Sequence, residues 1–96
     1  MTRIYLAGPM TGIKDLNFPL FHAAAAALRA EGLDVVNPAE INPDHTMPWE
    51  QCMRRDIAQL VTCDEIHMLE GWRASKGADV EYRLAKTLGL TVSGCV

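Results

Sequence analysis

The chain has 96 residues, a mildly acidic net charge of −3 and no cluster of basic residues. A general nucleic-acid surface is therefore not expected, because phosphate backbones bind to concentrated positive patches. No apolar run approaches the roughly 20 residues of a membrane-spanning helix. The first residues read as a strand rather than as a signal peptide. We expect a single cytoplasmic domain, residues 1–96, with no membrane partner.

The small size of the chain and the spacing of its cysteines and histidines lead to further expectations. A domain of 96 residues buries only a modest core, which favours a homodimer or a higher homo-oligomer. The three cysteines form no C-x-x-C pair and the three histidines are scattered, so neither a metal site nor a cofactor is expected. The thiols are expected to be free, as in a reducing compartment.

The first part of the chain reads as a strand, a loop, a helix and a second strand. Residues 3–7 form a β-type apolar run, and residues 9–12 form a loop that contains a glycine. Helix one is expected over residues 19–31, with a proline near its start and a glycine after its end. Strand two follows over residues 33–36. The loop has neither G-x-G-x-x-G spacing nor a P-loop ending, so dinucleotide binding of that type and ATP hydrolysis are not expected.

A long loop and a second helix come next. Residues 39–48 contain two prolines and an Asp-His pair, and loops of this length in a compact domain are often functional. Helix two is expected over residues 49–62. Its side chains facing the sheet are expected to be Met53, Ile57, Leu60 and Val61.

The last part of the chain supplies two strands around a third helix. Strand three is expected over residues 65–69 and strand four over residues 90–93. Helix three is expected over residues 77–88 and ends before a glycine. Its apolar stripe is expected to consist of Val80, Leu84 and Leu88.

Alternating strands and helices predict the fold class. The expected fold is α/β, a three-layer α/β/α sandwich of the Rossmann or flavodoxin-like type, with a parallel four-stranded sheet. Right-handed crossovers with one change of direction give the strand order 2-1-3-4. In such sheets ligands bind beyond the carboxyl ends of the central strands, which here are strands one and three.

The segment from Ser75 to Glu81 carries the strongest chemical pattern. It begins a helix directly after strand three with a hydroxyl residue, continues with Gly77 and places a carboxylate about one turn further on. The free N–H groups of a first helical turn attract anions, and a glycine lets a phosphate approach the backbone. The pattern therefore fits a phosphosugar site with Glu81 as nucleophile or base. It equally fits a capped helix with Ser75 as N-cap.

Several segments together resemble a known superfamily. They run in order through residues 5–12 (YLAGPMTG), 17–19 (NFP), 36–40 (VNPAE), 55–57 (RDI) and 75–81 (SKGADVE). This pattern resembles the nucleoside 2-deoxyribosyltransferase superfamily over nearly the whole chain. It is closest to a small branch, mostly from phages and prophages, that is known as a domain of unknown function.

The resemblance implies roles for individual residues. Glu81 matches the glutamate that attacks the anomeric carbon and holds the sugar covalently. Asp56 matches an aspartate near the leaving base, although the residues alone also fit a surface carboxylate. Tyr5 matches an aromatic hydroxyl beside the nucleophile. Gly8 and Met10 fall in the loop that lines the sugar pocket.

Position 75 distinguishes two groups of enzymes within the resemblance. Transferases that act on free nucleosides carry an acidic residue there, whereas 5′-monophosphate N-glycosidases carry a serine. Ser75 with the N–H of Gly77 therefore points to a nucleoside 5′-monophosphate, because a carboxylate would repel the phosphate. Trp72 either stacks on a base or sugar or covers the edge of the core. The expected binding residues also include three from the quoted segments: Pro9, Gly12 and Asn37.

The function expected from the resemblance is hydrolysis of the bond between base and sugar in a ribo- or deoxyribonucleoside 5′-monophosphate, with Glu81 as nucleophile. A nucleotide-binding or sequestering module without turnover is the first alternative. A nucleoside deoxyribosyltransferase is the second alternative. Cleavage of nicotinamide glycosides ranks last, because the sequence supplies no second nucleotide pocket. In each case the partner is a small nucleotide.

Overall fold

A computed structural model describes residues 2–96 of the chain. Its strands and helices alternate along the sequence, as expected. Their bounds are β1 Arg3–Ala7, α1 Phe18–Ala30, β2 Asp34–Val36, α2 Pro38–Ile41, α3 Trp49–Leu60, β3 Glu65–Met68, α4 Lys76–Thr87 and β4 Thr91–Gly94. None of the helices within residues 2–96 combines the length and the apolar character that crossing a bilayer requires.

The four strands form one parallel sheet in the order β2-β1-β3-β4, which confirms the predicted fold class and strand order. In the register, Tyr5 of β1 lies beside Val36 of β2 and Ile66 of β3. Because the central strand β1 is hydrogen-bonded on both sides, the loop that follows it emerges at the middle of the sheet edge.

Alternating side chains of β1 divide the core between the two faces of the sheet. Leu6 packs with Phe21 and Ala25 of α1 on one face. Tyr5 and Ala7 point to the other face, where α3 and α4 pack. This gives the three layers, and it aims the Tyr5 side chain toward α4.

The long loop predicted over residues 39–48 contains a short helix, α2. Pro38 occupies its first turn, and the Asn37 side chain accepts a hydrogen bond from the Ala39 N–H at 3.0 Å. Proline has its φ angle preset for a first helical turn, and asparagine is a strong N-cap, so these two residues suffice for one turn. The other predicted boundaries agree with the observed ones to within two residues, and those of β1 agree fully.

Three predicted core positions are wrong. Val61, Val80 and Leu88 are 52%, 38% and 50% exposed. Helix α3 ends at Leu60, so Val61 lies beyond its last turn. On α4 the residues that face inward are Gly77, Ala78, Glu81 and Ala85. Small residues and one carboxyl therefore occupy the face that an apolar stripe was expected to fill.

The loop after β1 is held in place by two close contacts. A Cβ atom on Gly8 would lie 2.8 Å from the Cβ of Leu69, so only glycine fits between β1 and the end of β3. Three consecutive residues, Asp15, Leu16 and Asn17, have φ angles of 54°, 52° and 61°. Their left-handed turn lets the Asn17 side chain donate a hydrogen bond to the Pro9 carbonyl at 2.9 Å. The first loop is thereby fastened to the start of α1.

The end of α3 provides a direct test of this packing. Leu60 is fully buried and Val61 is half exposed. We expect Leu60→Ala to lower the free energy of unfolding by about 2–5 kcal/mol, because it leaves a cavity in the core. Val61→Ala should change it by no more than about 0.5 kcal/mol. Urea denaturation of both variants measures the difference, and equal losses would contradict the described end of α3.

Candidate active site

A cavity of about 160 Å³ opens beyond the carboxyl ends of β1 and β3. The loop after β1 forms one wall, and helices α3 and α4 form the others. Its chemically distinctive lining residues are Gly8, Met10, Trp49, Asp56, Ser75 and Glu81. A larger and more open groove adjoins it and shares Thr11, Trp49, Ser75 and Gly77 with it. The start of α4 therefore lies at the boundary between the two spaces.

Glu81 lines this cavity and is only 5% exposed. It is on the second turn of α4, and its Oε2 accepts a hydrogen bond from the Tyr5 hydroxyl of β1. Burial raises the pKa of Glu81 to about 8, although the bond from Tyr5 acts in the opposite direction. The charge of Asp56 raises the pKa further. The pKa of Glu81 therefore lies above neutral pH, where the protonated carboxyl is the favoured form.

Tyr5 is completely buried, and its pKa lies well above the ordinary value. Burial is the main cause, and the nearby Glu81 and Asp56 carboxylates add to it. Its hydroxyl is consequently always a donor under ordinary conditions. Since that donor is directed at Oε2, the geometry of the Glu81 carboxyl is set by the sheet.

Asp56 lines the same cavity from the middle of α3 and is 7% exposed. The alternative of a surface carboxylate is therefore wrong. Burial raises the pKa of Asp56 to about 6, opposed by a hydrogen bond from the Asn42 side chain. Asn42 Nδ2 donates to Asp56 Oδ1 at 2.7 Å. Near neutral pH the Asp56–Glu81 pair thus holds one proton, because neighbouring carboxyls do not ionise together easily.

The N-terminus of α4 forms the rim of the cavity. Ser75 is the N-cap, and its Oγ accepts a hydrogen bond from the Ala78 N–H at 3.2 Å. The N–H groups of Lys76 and Gly77, in the same first turn, lie where an anion is favoured. A Cβ atom on Gly77 would be 3.1 Å from the Met53 sulfur, so glycine lets α3 and α4 approach closely here.

The predicted site residues divide into three groups. Six line the cavity, namely Gly8, Met10, Asp56, Ser75, Gly77 and Glu81, and Tyr5 contacts it through Glu81. Pro9 lines only the adjoining groove. Gly12, Asn37 and Trp72 line neither space.

Asn37 and Trp72 have structural contacts instead. Asn37 is 1% exposed; its Oδ1 caps α2, and its Nδ2 lies 3.2 Å from Nδ1 of His22. Trp72 is 5% exposed, and its Nε1 donates to the Cys95 carbonyl at 2.6 Å. The structure therefore does not bring these two side chains to the cavity.

Several residues of the site were not assigned to it from the sequence, among them Trp49 and Asn42, whereas the loop of His45 was expected to be functional. Trp49 lines both spaces, and the Lys76 ammonium lies 4.5 Å from the centre of its ring. His45 lines the cavity from the loop before α3, and its ring packs against Phe18. Asn42 lies behind Asp56. A Pro-Trp pair at the start of a helix was the only available signal for Trp49.

No metal centre is formed within residues 2–96, since no three His, Cys, Asp or Glu side chains gather closely enough to hold an ion. Cys52 lines the cavity, but burial raises the pKa of its thiol. A protonated thiol is a poor nucleophile. The acidic side chains that line the cavity are those of Asp56 and Glu81.

Fold and site define a parallel α/β protein with a buried carboxyl pair at the carboxyl ends of its central strands. The family model described as domain of unknown function (DUF4406) matches residues 2–93, so the chain belongs to that family. No curated protein matches the sequence.

The raised pKa of Glu81 has a consequence for stability. The group ionises at about 8 when folded and at about 4.5 when unfolded. The contribution of Glu81 to the free energy of unfolding is fully present below the pKa of the unfolded state and is lost as pH rises through the pKa of the folded state. The side chain of Glu81→Gln cannot ionise. We therefore expect the free energy of unfolding of this variant at pH 9 to exceed that of the wild type by on the order of a few kcal/mol.

Urea denaturation at pH 5 and pH 9 measures this difference, which should nearly vanish at pH 5. Glu65→Gln is the matched control. Glu65 is a half-buried glutamate that accepts a hydrogen bond from Ser93 at 2.6 Å, outside the cavity. If Glu81→Gln and wild type lose stability equally between the two pH values, the carboxyl is not buried as described.

Proposed function

We propose that this protein is an N-glycosidase that hydrolyses the bond between base and sugar in a nucleoside 5′-monophosphate. The observation that carries the proposal is the buried Tyr5–Glu81 hydrogen bond beside a cavity that both Glu81 and Asp56 line. The similarity of the quoted segments to the nucleoside 2-deoxyribosyltransferase superfamily supports the same chemistry.

Cleavage of an N-glycosidic bond builds positive charge on the anomeric carbon. A carboxylate beneath the sugar stabilises this charge and can bond to the carbon. Glu81 is in that position in the proposal, with Tyr5 holding one of its oxygens. The oxygen without the tyrosine bond is the one that attacks.

The first step needs one proton. As the C–N bond breaks, its electron pair goes to the base, and Asp56 donates a proton to that base. Glu81 closes a bond to the anomeric carbon. Water then attacks the same carbon, Asp56 takes back a proton, and the sugar phosphate leaves while the Glu81 carboxylate is regenerated.

The reactive form has Glu81 ionised and Asp56 protonated, whereas the pKa values of about 8 for Glu81 and about 6 for Asp56 favour the opposite arrangement. Both arrangements hold one proton, so they have the same pH dependence. A bound sugar with developing positive charge stabilises the ionised Glu81, which moves the pair toward the reactive form.

The phosphate is assigned to the start of α4. This helix end lies where the cavity meets the open groove, so a phosphate there would leave the sugar inside. The N–H groups of Lys76 and Gly77 and the positive end of the helix dipole favour an anion. Trp49 offers a flat surface beside it, and the Lys76 ammonium adds positive charge.

A binding module without turnover is the second candidate. The burial of Glu81, which raises its pKa to about 8, favours this candidate, because a protonated carboxyl does not attack. Such a protein would bind the nucleotide through the same cavity and release no base. A nucleoside deoxyribosyltransferase remains the third candidate and would pass the sugar to a second base instead of to water.

The proposal is tested by base release. We expect purified protein to release free base from at least one ribo- or deoxyribonucleoside 5′-monophosphate, measured by chromatography. Glu81→Ala should lower the rate by at least about 10³-fold, because the nucleophile is lost. Glu65→Gln, outside the cavity, should keep the rate of the wild type.

Three results would contradict the hydrolase. Full activity of Glu81→Ala would remove the proposed nucleophile. No release from any nucleotide, together with thermal stabilisation by one of them, would favour the binding module. Base exchange that requires an added second base would identify a transferase.

The phosphate assignment is tested at Ser75. In Ser75→Asp the N-cap is retained, since aspartate caps helices as well as serine does. The new carboxylate repels a phosphate, so we expect the Kd for a 5′-monophosphate to rise by about 10–100-fold. The Kd for the matching nucleoside should change little or fall. Calorimetric titration measures both Kd values. Equal effects on the two ligands would contradict the assignment of the phosphate to the start of α4.

A further inference from the structure

The side chain of Asn42 supports Asp56 from behind the cavity. It is 6% exposed and does not line the cavity itself. Its Nδ2 donates to Asp56 Oδ1 at 2.7 Å, and its own Oδ1 is buried without a hydrogen-bond partner in residues 2–96. A leucine would fill similar space without burying an unpaired polar atom, so packing alone does not explain an asparagine here.

We propose that Asn42 is a positioning residue that keeps the acid proton of Asp56 on Oδ2, the oxygen available to the cavity. This inference rests on the proposed function, in which Asp56 protonates the leaving base. The assignment comes from the direction of the hydrogen bond from Asn42 to Asp56 and from the different surroundings of the two Asp56 carboxyl oxygens.

An N–H donor at Oδ1 disfavours a proton on that oxygen, because a carbonyl oxygen accepts a hydrogen bond more strongly than a hydroxyl oxygen does. A neutral Asp56 therefore favours the form with its proton on Oδ2. No side chain or backbone group of residues 2–96 donates to Oδ2, and this oxygen is not among the fully buried unpaired atoms. Since Asp56 lines the cavity, Oδ2 is the oxygen that a ligand can reach.

The backbone around Asn42 keeps its amide in place. Asn42 ends α2, and its N–H donates to the Pro38 carbonyl at 3.0 Å. Pro38 and Ala39 of this short helix are buried. The one-turn helix that replaces the predicted loop thus brings an amide donor to α3, and Asn37 holds that helix through its cap.

Other ionisable groups surround Asp56 and must be separated from it in any titration. Tyr5 of β1, Cys52 of α3 and Glu81 of α4 each interact electrostatically with Asp56. His45 lines the same cavity from the loop before α3. A readout specific to Asp56 is therefore required, and the carbonyl-carbon NMR signal of its side chain provides one.

The first measurement is the NMR titration of the Asp56 side chain in the ligand-free protein. A donor at Oδ1 stabilises the ionised form, so its removal in Asn42→Leu should raise the titration midpoint by about one pH unit. Gln59→Leu is the matched control. It removes a half-buried amide from α3 that contacts Arg3 at 3.1 Å and does not touch Asp56.

The second measurement is the rate of base release. Asn42→Asp keeps the size of the side chain but replaces the donor by an acceptor that can ionise, which draws the Asp56 proton to Oδ1. We expect kcat between pH 6 and 7 to fall about 10-fold or more, with KM within about twofold. A residue needed only for packing would leave kcat unchanged in a variant that folds. Thermal melting identifies the folded variants, and Asn42→Ala replaces Asn42→Leu if the latter does not fold.

The outcomes separate this inference from the proposed function. Absence of base release by the wild type would overturn the proposed N-glycosidase activity. The NMR titration would then still decide whether Asn42 donates a hydrogen bond to Asp56. An unchanged midpoint in Asn42→Leu would overturn the role of Asn42 whether or not the enzyme is active. A raised midpoint together with a loss in kcat is the expected result.

Discussion

The hydrogen bond from the Tyr5 hydroxyl to the Glu81 carboxyl is the interaction on which the site depends. It joins the central strand to the last helix across 76 positions of sequence. It exists because β1 alternates its side chains between the faces of the sheet and because Gly77 and Ala78 let α4 pack closely. The sheet, the helix start and the carboxyl are thus fixed relative to one another by the same contacts.

Burial of two carboxyls beside each other lowers stability and is the source of their chemistry. Glu81 and Asp56 both have raised pKa values because they are withdrawn from water. A core optimised for stability alone would place apolar side chains at these positions. Perturbed carboxyls gathered in a cleft are typical of a functional site, and here they meet beyond the ends of central strands, where α/β proteins bind ligands.

Patterns along single elements predicted the capped start of α4 but not which side chains lie beside it. The predictions for Ser75 and Gly77 rest on the local signatures of helix caps and glycines, and both residues line the cavity. From local sequence, Trp72 and Trp49 are equally plausible as ligand-binding residues. In the structure Trp72 donates a hydrogen bond to the Cys95 carbonyl, whereas Trp49 lines the cavity. Which tryptophan is exposed to a ligand depends on packing between elements that are distant in sequence.

The sequence by itself determined the order of strands and helices, the parallel sheet and the capped start of α4, because these follow from periodicity and local hydrogen bonding. Only the tertiary structure decided that Val80 points outward and Glu81 inward, since a helix chooses its buried face by what it packs against. The one-turn helix α2 was likewise seen only in the tertiary structure, where the sequence had predicted a loop. It brings Asn42 to Asp56, a contact between residues 14 positions apart that no spacing rule specifies.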